Sequence, residues 1–234
     1  MIPTSIDGTD VQEITVDGDV VFSAAPSIPP IPNSAVAQYN ARLLTGFSDG
    51  DPVTTRPDQV GSLDLTGNAV FRASGLNGLP TVDYNGSSDS HNANGPAIQQ
   101  KVIVYLVIDG DFNTSSTNWI IDSFDGETVF GWNANRQNWV LYAGNVLDGS
   151  SNINRNLFTV VIDGSNSIIR EDGTQTASGF AGNFPLELLE IGQNDQGSTF
   201  FDGDIPFVEI HDGNVSNGLL TREQEIADMF NITI

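Results

Sequence analysis

Val102-Ile-Val-Tyr-Leu-Val-Ile108 is a run of seven apolar residues, five of them β-branched, that stops at Asp109-Gly110. Its length suits a strand and falls far short of the roughly 18 residues a membrane helix needs. Having no polar face, it predicts a central strand buried on both sides. Phe158-Thr-Val-Val-Ile162 repeats the pattern and also ends in Asp-Gly, and similar runs recur between Asp-Gly, Asn-Gly and Gly-Ser turns along the chain. That grammar predicts an all-β protein of two packed antiparallel sheets.

Working outward, apolar or alternating runs fall at 36–39, 69–73, 80–84, 102–108, 118–122, 128–132, 138–143, 157–162, 166–170, 186–191 and 205–210. One helix is predicted at the end: Thr221 as N-cap, Gln224 completing a capping box, Glu223 at the positive end of the dipole, and Ile226, Met229 and Phe230 on one face. Residues 1–24 read as a small β-hairpin or meander with turn signals at Asp7-Gly8 and Asp17-Gly18. The segment is too short to bury its own apolar face, so it is expected to anchor on something else. Residues 25–33 carry four prolines within seven positions, Pro26 to Pro32, and read as an extended, semi-rigid linker. Residues 34–234 then form the sandwich.

The chain has 30 Asp and Glu against 8 Lys and Arg, a net charge of −22, and Lys101 is its single lysine. Such a surface holds water and hydrated cations, and its self-repulsion fades in molar salt, where the Debye length is about 3 Å. A halophilic setting is expected, and phosphate backbones would be repelled, which excludes nucleic acid as a partner. No cysteine is present, so disulfide and thiolate chemistry are excluded. The opening MIPTSIDGTDVQEI has no basic region followed by an apolar core, so no signal peptide and no membrane insertion are expected.

Residues 36–90 carry a recognisable series: Ala37-Gln-Tyr-Asn-Ala41, Ser48-Asp-Gly-Asp51, Arg56-Pro-Asp-Gln-Val-Gly61 and Asn77-Gly-Leu-Pro-Thr-Val-Asp-Tyr-Asn-Gly86. Later come Leu189-Glu-Ile-Gly192, Phe201-Asp-Gly-Asp-Ile-Pro-Phe-Val-Glu-Ile210 and the closing LTREQE helix. This series resembles the concanavalin-A-like lectin/glucanase superfamily in its laminin-G-like branch, with Arg56 where that pattern has Trp. The resemblance covers about 36–234 and implies a jelly-roll sandwich, a fold that hosts lectins, hydrolases and structural modules alike. The N-terminal IDGTDVQEITVDGDVVFSA is similar to openings of tail and appendage proteins of tailed viruses, including haloarchaeal ones.

The residues bear on four kinds of site. Retaining glycoside hydrolysis needs two carboxylates about 5–5.5 Å apart; Glu187/Glu190 and Glu209/Asp212 are spaced i,i+3, which puts the members of each pair on opposite faces of a strand. A nucleophile triad would have to use His91 or His211, no Gly-x-Ser-x-Gly elbow exists, and both histidines are expected at the surface. Calcium could sit on Asp49/Asp51, Asp109/Asp111 or Asp202/Asp204, each an Asp-Gly-Asp turn with two hard oxygen ligands; laminin-G-like domains often bind calcium at the sandwich rim. Glycan binding would use aromatic faces beside amides, and Trp132, Asn133, Asn135 and Trp139 supply both on what reads as a hairpin tip.

The sequence is therefore read as a non-enzymatic virion appendage or capsid-surface protein of a halophilic tailed virus. It would assemble in the host cytoplasm as a homo-oligomer with other virion proteins through residues 1–24, and display a lectin-like sandwich toward host-surface glycan. The alternatives are a glycan-binding module of a halophile's cell-surface protein and a divergent glycoside hydrolase.

Overall fold

The structure, a computed structural model, describes residues 25–110, 112, 116–123, 127–154, 156–187, 189–194, 196–215 and 217–234, together with the backbone of four short strands before residue 24. Those four pair antiparallel, β1 (Ser5–Ile6) with β2 (Thr9–Asp10) and β3 (Glu13–Val16) with β4 (Asp19–Ser23). The turn signals at Asp7-Gly8 and Asp17-Gly18 lie outside the described residues, as does Asp111.

The sandwich strands are, in order, β5 (Ala35–Asn40), β6 (Thr55–Arg56), β7 (Leu65–Asn68), β8 (Val70–Arg72), β9 (Thr81–Asn85), β10 (Ser90–Asn92), β11 (Val102–Gly110) and β12 (Asn118–Asp122). They continue as β13 (Val129–Asn133), β14 (Asn138–Tyr142), β15 (Val146–Asp148), β16 (Leu157–Ile162), β17 (Ser167–Glu171), β18 (Thr174–Gly179), β19 (Glu190–Ile191) and β20 (Asp202–Asp212). One sheet runs β15-β14-β13-β12-β19-β10-β7-β6 and the other β18-β17-β16-β11-β20-β9-β8, with β5 also pairing β20. The all-β sandwich with one C-terminal helix, α1 (Leu219–Phe230), is as expected.

The seven-residue apolar run is explained by what lies on its two sides. Val102, Val104, Leu106 and Ile108 face the sandwich core with Phe158, Val160, Trp139 and Phe130. Ile103, Tyr105 and Val107 face the other way, where Ile226, Ala227, Met229 and Phe230 of α1 cover them with Val161 and Phe207. A period of two with both faces apolar therefore reports a sheet roofed by a helix. Each fully buried side chain of this size contributes about 1.5–3 kcal/mol of transfer free energy.

Helix α1 starts two residues before the predicted N-cap. Gly218 precedes the first turn, Arg222 N bonds Gly218 O at 3.1 Å, and Thr221 lies inside the helix; Asn231 closes it in the left-handed conformation. Glu223, expected at the positive end of the helix dipole, is buried and paired with Arg170 at 2.7 Å.

Both histidines are buried, which corrects the surface reading. His91 bonds Tyr84 Oη at 3.0 Å and Val53 O at 2.8 Å, beside a buried Arg56 that donates to Tyr84 Oη at 3.1 Å. Burial and the nearby guanidinium drop the His91 imidazole to about 3, so it is neutral. Arg56, standing where the resembled family has Trp, thus fills its place with a polar network. His211 bonds Glu209 Oε1 at 2.8 Å and Ser34 Oγ at 3.0 Å. That Ser-His-Glu line does not form a nucleophile triad: the imidazole is fully buried, and Glu209 is spent on Arg222 and Gln38.

The proline stretch lies against the sandwich. Pro30 O accepts from Arg222 Nη1 at 3.3 Å, Pro26 O accepts from Arg42, and Pro32 is buried. A proline backbone keeps its carbonyls free of local hydrogen bonds, and two arginines of the sandwich use them.

Candidate functional site

Trp132 and Trp139 are direct cross-strand partners on β13 and β14, 1% and 0% exposed. Their rings meet edge to face at 5.8 Å, and Trp139 also packs on Phe112, Phe130 and Phe158. The expected aromatic platform is thus core: paired residues share a face, and this pair shares the inner one. Trp139 Nε1 donates to Asn152 O at 2.7 Å, whereas Trp132 Nε1 is buried with no acceptor among the described residues.

The two asparagines remain near the surface. Asn133 Oδ1 accepts from Asn135 N and Arg136 N, both at 3.1 Å, and so closes the turn, while Asn135 is exposed. The turn is tied sideways, since Ala134 N donates to Thr117 Oγ1 at 3.2 Å.

Thr117 belongs to a cleft of about 450 Å³ at this end of the sandwich. Its described walls are Gly86 from the β9–β10 turn, Ser116, Thr117 and Asn118 entering β12, Ser198, Thr199 and Phe200 before β20, and Asp202. Local side chains fix these loops. Asn194 Oδ1 accepts from Ser198 N and Thr199 N at 2.9 and 2.8 Å, while Asn85 Oδ1 accepts from Ser87 N and Ser88 N, both at 2.9 Å. Such side chain-to-backbone turns hold loop tips without a core. Gly86 N donates to Phe201 O at 3.1 Å; its φ of +68° and the 2.8 Å that would separate an added Cβ from the Asp202 side chain both require glycine.

Chemically the cleft offers hydroxyls, an amide, one carboxylate and one aromatic ring. Asn118 spends an amide hydrogen on Ser116 O at 3.1 Å. No lysine or arginine stands among the described lining residues. A sequence reader had little to go on here, because Ser, Thr and Asn at loop tips are ordinary turn residues.

The aspartate pairs are engaged in local contacts. Asp51 Oδ2 accepts from Ser48 N at 2.7 Å and Asp49 Oδ1 from Ala73 N at 2.9 Å, so both carboxylates hold turns. Asp202 lines the cleft, and Asp204 Oδ1 accepts from Thr81 Oγ1 at 2.7 Å. Among the described residues no group of three or more His, Asp or Glu could hold a metal ion. What the strands do assemble is a row: Asp204 lies directly opposite Asp83 on β9 and Asp109 on β11. Burial lifts the Asp204 carboxyl to about 6; the Thr81 hydroxyl opposes the lift, and Asp83 and Asp109 add to it.

The sequence matches no known family and no characterised protein. Solved structures are similar over most of the chain. Domain 4 of AbnA, an extracellular arabinanase of Geobacillus stearothermophilus solved with arabinotriose, is 16% identical, with a TM-score of 0.52 over 86% of this chain and all of that one. A Trypanosoma rangeli sialidase is 12% identical, with a TM-score of 0.59 over 99% of this chain and 36% of that one. An arabinofuranosidase solved with arabinofuranosyl-α-1,2-xylobiose is 11% identical, with a TM-score of 0.55 over 89% of this chain and 61% of that one. What they share with this chain is a fold. The chain spans about a third of the sialidase and less than two thirds of the arabinofuranosidase.

These neighbours are compatible with the jelly-roll reading of the fold. They correct the non-enzymatic expectation: an arabinanase domain, a sialidase and an arabinofuranosidase share this fold, so the fold itself does not set a binding role apart from a catalytic one.

Proposed function

We propose that the sandwich is a carbohydrate-binding domain whose end cleft takes a neutral glycan. The observation that carries the reading is the cleft's lining: Asn118, Ser198, Thr199 and Asp202 supply hydrogen-bonding groups around the half-buried Phe200 ring. A sugar has an apolar ring face and a polar rim of hydroxyls, and such a lining complements both. The fixed loops leave little ordering cost at binding. With Asp202 in the wall and −22 on the chain, an anionic sugar would be repelled. Hydrolysis in the same cleft would need a second carboxylate, and Asp202 is the only one among the described lining residues.

The finer setting is display on the particle of a halophilic tailed virus, with residues 1–24 as the assembly segment. It rests on the likeness of that segment to viral openings. Deleting residues 1–24 is then expected to leave the sandwich folded and to abolish oligomers; an unchanged oligomeric mass refutes that setting.

Calorimetric titration with neutral oligosaccharides, arabinotriose among them, tests the cleft. Phe200→Ala and Asp202→Asn are each expected to weaken binding by about tenfold, equivalent to about 1.4 kcal/mol, with the melting temperature nearly unchanged. Equal affinity in both variants would refute the assignment.

A further inference from the structure

At the other end of β14 from the cleft, two aromatic rings stand in solvent. Phe180 is 48% exposed and Phe184 40%, and they are the only aromatic side chains among the described residues to be exposed. Their segment, Phe180-Ala-Gly-Asn-Phe184, has no regular secondary structure but is held on every side. Asn145 Nδ2 donates to Phe180 O at 2.7 Å, Gln100 Nε2 to Gly182 O and Phe184 O at 3.2 and 2.9 Å, and Thr128 Oγ1 to Pro185 O at 2.8 Å. Ala143 and Asn145 donate their backbone N–H groups to Ala181 O, and Phe184 N returns a bond to Ala143 O at 2.9 Å. Gly182, at φ +108°, sits so close to this strand that an added Cβ would lie 1.8 Å from Ala143 O.

So many bonds on five residues fix the backbone that carries the two exposed rings. Core packing does not account for their position, because burying them would release apolar surface from water. Between them in sequence, Asn183 is exposed and its amide has no protein hydrogen-bond partner among the described residues.

We propose that Phe180, Phe184 and Asn183 form a second contact surface for a neutral glycan, separate from the cleft. It shares the ligand class of the cleft reading but none of its residues. The two rings together expose on the order of 200 Å², well below the ~800 Å² per partner of a stable protein interface. That small area suits a sugar ring, whose C–H face covers an aromatic while its hydroxyls meet an adjacent amide. The acidity of the chain, −22 overall, disfavours a polyanion here as in the cleft.

Affinity electrophoresis of the full chain in gels containing arabinan, xylan, mannan or β-glucan tests the surface, with light scattering and melting curves on each variant. The double variant Phe180→Ala/Phe184→Ala is expected to lose about tenfold in affinity for the retarding polymer while melting as the parent does. Asn183→Ala is expected to lose less, in the same direction. Phe200→Ala, in the cleft, should weaken retardation independently, so the triple variant falls below either. If the double variant is retarded like the parent while Phe200→Ala is not, the second surface is overturned and the cleft reading stands. If the parent is retarded in none of the gels, both are overturned. A double variant whose mass drops from oligomer to monomer would make this surface a contact between copies of the chain, which also overturns the proposal.

Discussion

Trp132 and Trp139 look alike in the sequence and differ in one hydrogen bond. Trp139→Phe leaves Asn152 O without its donor, while Trp132→Phe removes an indole N–H that has no acceptor among the described residues. Chemical denaturation should therefore show Trp139→Phe less stable than Trp132→Phe by about 1 kcal/mol, and Trp139→Ala losing about 3–5 kcal/mol. Equal costs for the two Phe variants would contradict the hydrogen-bond assignment. A tryptophan flanked by asparagines marks a sugar platform or a strand ending in a turn, and composition cannot separate the two. Only the cross-strand register, which sets both rings on the inner face, decides. The aspartates teach the same lesson, because Asp83, Asp109 and Asp204 are far apart in sequence and meet only through two strand pairings. Asp204 titrates in the folded chain at about 6, above its ordinary value of 3.8. The folded state therefore binds the extra proton between those values, and stability falls as pH rises through that window. Asp204→Asn keeps an acceptor for Thr81 and should raise the melting temperature at pH 7 while changing little below pH 4. His91, with its depressed value, works in the opposite direction as pH falls from 6.5 toward 3, so the difference between variant and parent is the quantity to read. A difference independent of pH would contradict the raised Asp204 value.

Helix α1 is held to β20 by more than its apolar stripe. Arg222 donates to both oxygens of Glu209 at 2.8 and 2.6 Å, to Glu225 at 2.8 Å and to Pro30 O. Burial alone would raise the Glu209 carboxyl, but hydrogen bonds from His211 and Arg222 outweigh it and hold the group below the usual range. Removing one partner leaves an uncompensated buried charge, so Arg222→Met should cost about 3–5 kcal/mol, and Arg222→Met/Glu209→Gln should recover much of it. A double variant no more stable than the single one would show that the pair acts through packing alone. None of this could be read from the chain, because Glu209, Arg222 and the prolines are individually unremarkable. The strands divide in the same way. Those with an apolar signal, such as β11, β16 and β20, were legible. β7 (LTGN), β10 (SHN) and β18 (TQTASG) were not, because lateral pairing holds them more than burial does. The loops of the cleft are equally quiet, since Asn85 and Asn194 organise them through hydrogen bonds that any turn asparagine could make.

Taken as one body, the chain balances a large apolar core against a net charge of −22. Self-repulsion of that size should be relieved by salt, so the melting temperature is expected to climb between dilute buffer and molar KCl as the Debye length falls toward 3 Å. A salt-independent melt would remove the basis for a halophilic setting. The fold class, the central strand and the helix face were available before any coordinates, because each is written in hydrophobic periodicity. The cleft depends on three loops brought together from positions 86, 116–118 and 198–202, a convergence that periodicity does not record. Backbone amide shifts during titration with a neutral oligosaccharide would locate binding without any substitution. The proposed cleft predicts that the shifted amides centre on Gly86, Thr117, Asn118 and Ser198–Asp202. Saturating neutral glycans that leave those amides unmoved, or shifts confined to other parts of the sandwich, would contradict it.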